Sequence, residues 1–183
     1  MTATGLLLLS LPLVAQAADA APPVKTRVYL SADKLVAGTQ VPFAVKATVA
    51  EGWHVNAQPP SADFLIPIKL TVTSTAGSQL VQTLYPAGHT VEAAGMQVSV
   101  YESDVWMFGT LDVPAGAVGQ TESLTFVTSY QACNDTNCLP EAKAAIKGKI
   151  GVVAPGTEVR AMNASVFQRR PEVAARGTVI LAK

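Results

Sequence analysis

The amino-acid sequence predicts an all-β fold, and three observations support this prediction. Segments rich in Val, Thr, Leu, Ile and aromatic residues recur along the chain, and several alternate between apolar and polar side chains. Turn-forming pairs such as Ala37-Gly38 and Ala76-Gly77 separate these segments. No long segment between them has helical periodicity. Short strands at nearly regular spacing are typical of an immunoglobulin-like β-sandwich, which is the fold that we expect.

The predicted strands follow from this pattern in chain order. The segments that qualify are 26–30, 41–50, 66–73, 79–85, 97–101, 104–111, 122–130 and 145–153. Alternation is clearest in Val41–Val49 and in Leu124–Thr128. Pro42 lies inside the second predicted strand, and because proline has no backbone N–H to donate, it predicts an edge position there.

The predicted sandwich occupies residues 26–155, and the N-terminal segment before it has a different character. Residues 1–17 contain the apolar run Leu6–Val14 followed by a small-residue cleavage signal, which predicts a signal peptide, although no Lys or Arg precedes Lys25. Residues 18–25 are predicted to be a linker. We therefore expect export to an oxidising compartment, where a disulfide can form and persist.

The C-terminal segment, residues 156–183, is predicted to be a short extension of the sandwich. Val159, Met162 and Val166 have helical spacing and predict one short helix before Arg169-Arg170-Pro171. The apolar run 178–181 is consistent with a last strand.

Composition excludes several classes of function. The chain is 49% hydrophobic and only 14% charged, which argues against disorder. Lys plus Arg equals Asp plus Glu at 13 each, so no charge excess favours nucleic acid or an anionic membrane as a partner. After the signal peptide, no apolar stretch reaches the roughly 20 residues of a transmembrane helix. We therefore expect a soluble monomer.

The chain contains two cysteines, Cys133 and Cys138, with four residues between them. Such a pair can close a small structural loop, bind a soft metal, or shuttle between dithiol and disulfide. A ring of about six residues gains only about 2 kcal/mol from loop closure, against nearly 5 for a loop of about 100 residues. Proximity favours reversible exchange, because either thiolate can resolve a mixed disulfide formed by the other. The spacing alone leaves all three possibilities open.

The residues around the cysteines indicate a relay more than a strong oxidant. No Lys, Arg or His lies between Cys133 and Cys138, and the nearest cation along the sequence is Lys143. Asp135 lies inside the loop, where a carboxylate disfavours the thiolate form of a neighbouring cysteine. Equally, Asn134 and Asp135 are residues that shape turns. Both interpretations of the loop stay open.

Three motifs occur in an order that resembles a known family. They are Glu51-Gly52-Trp53-His54-Val55-Asn56-Ala57-Gln58-Pro59-Pro60, Val100-Tyr101-Glu102, and the segment Tyr130-Gln131-Ala132-Cys133 through Cys138-Leu139-Pro140. Together they resemble the N-terminal periplasmic domain of the bacterial thiol:disulfide interchange protein DsbD, over roughly residues 26–153. That family has an immunoglobulin-like domain with a redox-active cysteine pair. It takes electrons from a membrane-embedded reductase and passes them to periplasmic thioredoxin-like proteins.

The resemblance implies roles for the two cysteines. Cys138 matches the cysteine that attacks the partner disulfide, and Cys133 matches the resolving one. The resemblance implies a protein-disulfide reductase of the periplasm that needs no organic cofactor and no metal. We expect a stand-alone delivery module whose electron donor is a separate membrane protein. Two departures stand out: the family member used for comparison has five residues between its cysteines, and here Glu141 follows Pro140 in place of a second proline.

The resemblance also implies which residues lie beside the pair. Tyr130, Gln131, Asn134 and Asp135 flank it in sequence, and the family places the segment containing His54 and Asn56 next to it. His54 is thus a candidate proton shuttle or orienting group. The alternative for His54 is a surface histidine beside a buried tryptophan, since His54 and Asn56 alternate with Trp53 and Val55.

A cap loop over the cysteines is the last feature that the resemblance implies. In the family an aromatic ring in this loop shields the pair, but the corresponding connection here, Gly88–Met96, has no aromatic residue. We expect a mobile loop with Gly88 and Gly95 as hinges. Its candidate covering residues are Val91, Ala93, Ala94 and Met96.

Two other classes of function stay open. One is a non-enzymatic binding module whose local disulfide stiffens a loop. The other is a copper chaperone that uses both thiolates with His54. His89, Met96 and Met107 include soft ligands, but Met107 lies between Trp106 and Phe108 in a predicted strand, and core packing is the better account of it.

Overall fold

The computed structural model describes residues 21–93 and 95–170, and they form an immunoglobulin-like all-β domain. The predicted signal peptide, the start of the predicted linker, Ala94 and residues 171–183 lie outside the described residues. The strands in chain order are β1 (Val24–Leu30), β2 (Leu35–Val36), β3 (Gln40–Val49), β4 (His54–Asn56), β5 (Lys69–Ser74), β6 (Gln79–Leu84), β7 (His89–Ala93), β8 (Met96–Tyr101), β9 (Asp104–Asp112), β10 (Thr121–Tyr130), β11 (Ala132–Cys133) and β12 (Ala142–Val153). A 3₁₀ turn, Ala115–Ala117, and one α-helix, α1 (Ala164–Phe167), complete the described elements.

The described strands form three sheets. The first has the order β1-β3-β9-β6, the second β2-β12-β10-β5, and the third β11-β4-β8-β7. The core lies between the first two sheets, where inward-facing side chains alternate with outward-facing ones. Phe43 of β3 meets Phe126 of β10 with ring centroids 5.0 Å apart. The smaller third sheet carries the cysteines, because β11 ends at Cys133.

Every predicted strand is present, and no strand end differs from its predicted position by more than three residues. Strands β2, β4 and β11 are only two or three residues long, which is too short to show a period. The segment expected to be a mobile cap loop is instead a β-hairpin made of β7 and β8, paired from His89–Val100 to Ala93–Met96.

The prediction of an edge position for Pro42 is wrong, because β3 lies between β1 and β9. Pro42 pairs with Thr110 on one side and on the other side lies just beyond the last β1 pair, Leu30–Phe43. Its carbonyl accepts a hydrogen bond from the Ser31 N–H. The return bond, which proline cannot make, is replaced by the Met162 N–H donating to the Ser31 carbonyl at 2.8 Å.

The described part of the C-terminal extension, residues 156–170, packs along the outer face of the first sheet. Its helix is only four residues long, so Val159 and Met162, predicted as helical, precede it. Val166 and Phe167 pack beside Trp106, and the Arg169 guanidinium lies 5.7 Å from the centroid of the Trp106 ring. Among the described residues, no helix has the length and apolarity to span a membrane.

Candidate functional site: the Cys133–Cys138 pair

Cys133 is positioned by the short ladder between β11 and β4. Strand β10 ends at Tyr130, which is 2% exposed and anchors the chain in the core. Burial raises the pKa of the Tyr130 phenol. Two residues later the chain pairs again, with Ala132 opposite Val55 and Cys133 opposite His54. This register fixes the His54 backbone directly beside the first cysteine.

Asn134 shapes the loop between the two cysteines. Its side-chain oxygen accepts hydrogen bonds from the Thr136 N–H at 3.0 Å, the Thr136 hydroxyl at 3.1 Å and the Asn137 N–H at 2.8 Å. Its backbone N–H donates to the Asn137 carbonyl at 2.9 Å. Such a side-chain-to-backbone arrangement is a typical use of asparagine in tight turns. Asn134 therefore shapes the turn between the two cysteines.

The turn returns the chain so that Cys138 lies opposite Cys133 and forms a disulfide with it. The Leu139 N–H donates to the Ala132 carbonyl at 2.9 Å, and the Gln131 side chain donates to the Leu139 carbonyl at 3.1 Å. The two cysteines differ sharply in accessibility: Cys133 is 5% exposed, whereas Cys138 belongs to the exposed residues. Only Cys138 is open to a large partner.

The β7–β8 hairpin extends over this pair, and Tyr101 fixes its base. The Tyr101 side chain is 4% exposed, and its hydroxyl donates to the Pro86 carbonyl at 2.7 Å, just before β7. The same hydroxyl accepts a hydrogen bond from the Gln58 N–H at 3.3 Å. Burial raises the pKa of the Tyr101 phenol, which keeps it a donor.

An open cavity of about 470 Å³ lies between the hairpin and the disulfide. Its lining residues come from β4, the hairpin and the cysteine loop, and they are His54, Val91, Glu92, Ala93, Glu102, Cys133, Asn134, Asp135, Thr136, Asn137 and Cys138. The sequence-predicted residues His54, Val91, Ala93, Asn134 and Asp135 thus share one cavity with both cysteines.

Other sequence-predicted site residues lie elsewhere. Asn56 is 3% exposed and does not line the cavity, and its amide donates to the Ile66 carbonyl at 3.2 Å. Asn56 is thus held by the 57–68 loop, through this hydrogen bond and a bridge to Pro67. The alternation of side chains along β4 ends at Asn56. Met96 lies outside the cavity and is 40% exposed. Tyr130 and Gln131 do not line the cavity either: Tyr130 packs in the core, and the Gln131 side chain donates to the Leu139 carbonyl.

Sequence reasoning missed two acidic residues of this cavity, Glu92 and Glu102. Glu102 directly follows β8 and lies 3.1 Å from the His89 imidazole, measured between Oε2 and Nε2. The Val100-Tyr101-Glu102 motif contains Glu102, so the negative charge of this motif is the sequence feature that could have placed a carboxylate beside the cysteines. Glu92 gave no signal before the hairpin was known.

The candidate soft-metal residues are not brought together. Met107 is fully buried in the core, whereas His89 and Met96 are exposed. Across residues 21–93 and 95–170, no group of three or more His, Cys, Asp and Glu side chains has a metal-binding arrangement.

Comparison with solved structures finds chains of low sequence identity. The N-terminal domain of Neisseria meningitidis DsbD in the reduced form is 15% identical, with 75% of this chain and 90% of that chain covered and a TM-score of 0.45. The N-terminal periplasmic domain of ScsB from Proteus mirabilis is 16% identical, with 72% and 49% covered and a TM-score of 0.49. A complex between the DsbD and PilB N-terminal domains from Neisseria meningitidis gives 18% identity, 67% and 80% coverage and a TM-score of 0.40.

Comparison with curated proteins finds no match. The family model for the N-terminal region of the thiol:disulfide interchange protein DsbD matches residues 20–149, which is more than two thirds of the chain. The matched region contains all of the cavity that holds the disulfide. The chain therefore belongs to the family of DsbD N-terminal domains, whose parent proteins carry out thiol–disulfide interchange.

Proposed function

We propose that this domain is a periplasmic protein-disulfide reductase of the relay type, which passes electrons through Cys133 and Cys138 to thioredoxin-like proteins. The observation that carries the proposal is the asymmetry of the pair. The two sulfurs are bonded to each other at an open cavity, with Cys138 exposed and Cys133 only 5% exposed. Exchange with a protein needs one sulfur that a partner can reach and a second sulfur, close to the first, that can displace the partner from the mixed disulfide.

The proposed reaction starts from the reduced pair. The Cys138 thiolate attacks one sulfur of the partner disulfide, so that a mixed disulfide forms and the other partner sulfur leaves as a thiolate. The Cys133 sulfur then attacks Cys138, closing the internal disulfide and releasing the second partner thiolate. Two electrons and two protons pass from this domain to the partner, and we propose His54 as the group that holds a proton beside Cys133 between the steps.

The oxidised domain must then be reduced again. We propose a membrane-embedded reductase as the donor, which supplies two electrons and two protons by the reverse exchange at Cys138. The sulfurs carry the electrons, so the chemistry requires no organic cofactor. Export to the periplasm through residues 1–17 and a monomeric state are part of this proposal.

The β7–β8 hairpin is proposed to shield the reduced thiols. Val91 and Ala93 line the cavity, so Val91→Ala should increase the rate at which a small maleimide alkylates the reduced protein severalfold, whereas Ala93→Phe should decrease it. Met96→Ala is the matched control, because Met96 is in the same hairpin but outside the cavity, and its alkylation rate should equal that of the wild type. Equal rates in all four proteins would exclude the shielding role.

The redox potential of the pair provides the main test of the relay. Equilibration in glutathione buffers, followed by thiol trapping, should show a single two-electron transition at a potential between those of the cytosolic and strongly oxidising thiol proteins, about −270 to −120 mV. A midpoint below about −300 mV would exclude the relay, since that range belongs to structural disulfides.

One observation favours a second candidate function, a binding module with a structural disulfide. The Asn134 side chain accepts three hydrogen bonds within the loop, so the disulfide closes a turn that is already well held. The midpoint measurement separates the two candidates, because only the relay requires a disulfide that exchanges readily.

A further inference from the structure

The opening of the disulfide cavity is lined by carboxylates from three separate parts of the chain. Glu92 comes from β7, Glu102 follows β8, and Asp135 lies inside the cysteine loop. All three are exposed residues, so their charges face the space that a partner enters. In the part of the chain that the structure describes, no Lys or Arg lines this cavity.

Other carboxylates of the domain are paired with Lys or Arg, unlike the three at the cavity. Asp104 lies 2.7 Å from the Lys46 ammonium, and Asp33 lies 3.8 Å from the Arg160 guanidinium. Within residues 21–93 and 95–170, no ion pair with Lys or Arg involves Glu92, Glu102 or Asp135. Among the described residues, the ion pair that involves one of these carboxylates is that of Glu102 with the His89 imidazole.

The rest of the molecule balances this negative region. The whole chain is formally neutral, and exposed lysines lie on strands of the second sheet, outside the cavity: Lys69 on β5 and Lys143, Lys147 and Lys149 on β12. The negative charge at the cavity is therefore a local property that the overall composition hides. A cleft lined by charges of one sign concentrates ligands of the opposite sign and speeds their association.

We infer that Glu92, Glu102 and Asp135 select a partner whose reactive disulfide is surrounded by Lys or Arg side chains. The inference rests on the proposed function, since it names the chemistry of the protein that Cys138 attacks. Opposite charges steer the encounter and suppress partners with an acidic surface around their disulfide. A docked cation also offsets the carboxylates that disfavour the Cys138 thiolate, so that the nucleophile is favoured when the correct partner arrives.

Three small disulfides of different charge test this inference on the full chain. They are cystamine, which is a dication, hydroxyethyl disulfide, which is neutral, and dithiodipropionate, which is a dianion. Each oxidises the reduced protein by the same balanced exchange, in which the protein gains one disulfide and the reagent becomes two thiols. The second-order rate constants are divided by those of the same reagents with 2-mercaptoethanol, which removes their intrinsic differences in reactivity.

The normalised rate should fall from cystamine to the neutral reagent to the dianion, with at least about a tenfold difference between the extremes at about 10 mM salt. The difference should shrink strongly near 1 M salt, where the screening length is only about 3 Å. The variant Glu92→Gln/Glu102→Gln/Asp135→Asn should bring the three rates within about twofold of one another. Glu158→Gln, which changes an exposed carboxylate outside the cavity, should keep the wild-type order.

The outcomes distinguish this inference from the relay itself. Equal normalised rates in the wild type, or a preference for the dianion, would overturn the charge selection and leave the relay standing. Failure of the reduced protein to react with even the neutral disulfide would instead overturn the relay. A preference that persists in the triple variant would assign the selection to other residues and so overturn the role of these three carboxylates.

Discussion

The Cys133→Ala variant is expected to accumulate mixed disulfides with a thioredoxin-like partner, and the Cys138→Ala variant is expected to accumulate few. The physical reason is the difference in accessibility, since Cys138 is exposed while Cys133 is 5% exposed and faces the His54 strand. Without Cys133, this domain has no second sulfur that can displace the partner from Cys138, and only the partner's own second thiolate can reverse the reaction. A well-oriented intramolecular attack has an effective molarity of about 10⁵ M or more. Its loss should therefore lengthen the lifetime of the covalent complex by orders of magnitude.

The measurement uses each reduced variant mixed with a thioredoxin-like protein that keeps only its exposed cysteine, activated as a mixed disulfide with thionitrobenzoate. Thionitrobenzoate leaves when Cys138 attacks, so no partner thiolate can reverse the complex. Acid quenching and mass spectrometry then detect the covalent complex. The double variant Cys133→Ala/Cys138→Ala is the control for non-specific trapping and should give no complex. Equal trapping by both single variants would remove the assignment of roles while leaving exchange intact. No trapping by either variant would count against the relay.

The long strands could be predicted from the sequence because each carries its own signal. Strands such as β3 and β10 have ten residues each, enough for alternation between the core and the outer face to be visible. Pro42 misled the prediction because its missing hydrogen bond is replaced by Met162, a residue from the distant C-terminal extension. Local sequence cannot show such a replacement.

The cysteine pair was predictable, but the structure around it was not. Strands β4 and β11 are short, and their pairing brings together His54 and Cys133, which are far apart along the sequence. Their existence depends on tertiary contacts and not on local periodicity. The same reason explains why the cap segment was expected to be a loop, and why Glu92 and Glu102 were not placed beside Asp135.

Replacement of Glu122 by alanine is expected to lower the free energy of unfolding strongly. Glu122 is fully buried, although it is charged by type, and its carboxyl group accepts hydrogen bonds from three donors. They are the hydroxyls of Ser74 and Ser78 and the Ala76 N–H, the last at 3.1 Å. Ser74 is the last residue of β5, and Ala76 and Ser78 lie in the connection from β5 to β6, which joins the second sheet to the first. Glu122 therefore holds the crossover between the two layers of the sandwich.

Glu122→Ala removes the common acceptor and leaves Ser78, which is 6% exposed, without its partner. Each buried donor left unsatisfied costs about 1–3 kcal/mol, so a loss of about 3–5 kcal/mol in the free energy of unfolding is expected. Urea unfolding of the oxidised protein should show it as a midpoint lowered by about 1.5–2.5 M, for an m value of about 2 kcal/mol/M.

Three control variants define what this result means. Glu158→Ala changes an exposed glutamate and should alter stability by no more than about 0.5 kcal/mol. Ser78→Ala removes one donor and should cost less than Glu122→Ala, and the double variant should cost less than the sum of the two. A loss below about 1 kcal/mol for Glu122→Ala would show that other contacts hold the crossover.

The same variant should leave thiol–disulfide exchange intact wherever the protein remains folded. Glu122 is near the start of β10, whereas Tyr130 at its end leads into the cysteine ladder, about 26 Å away at 3.3 Å per residue. Stability of the sandwich and reactivity of the disulfide are thus separated at the two ends of one strand. Exchange that slows in folded Glu122→Ala protein would contradict this separation and would indicate that β10 positions Cys133 as a rigid unit.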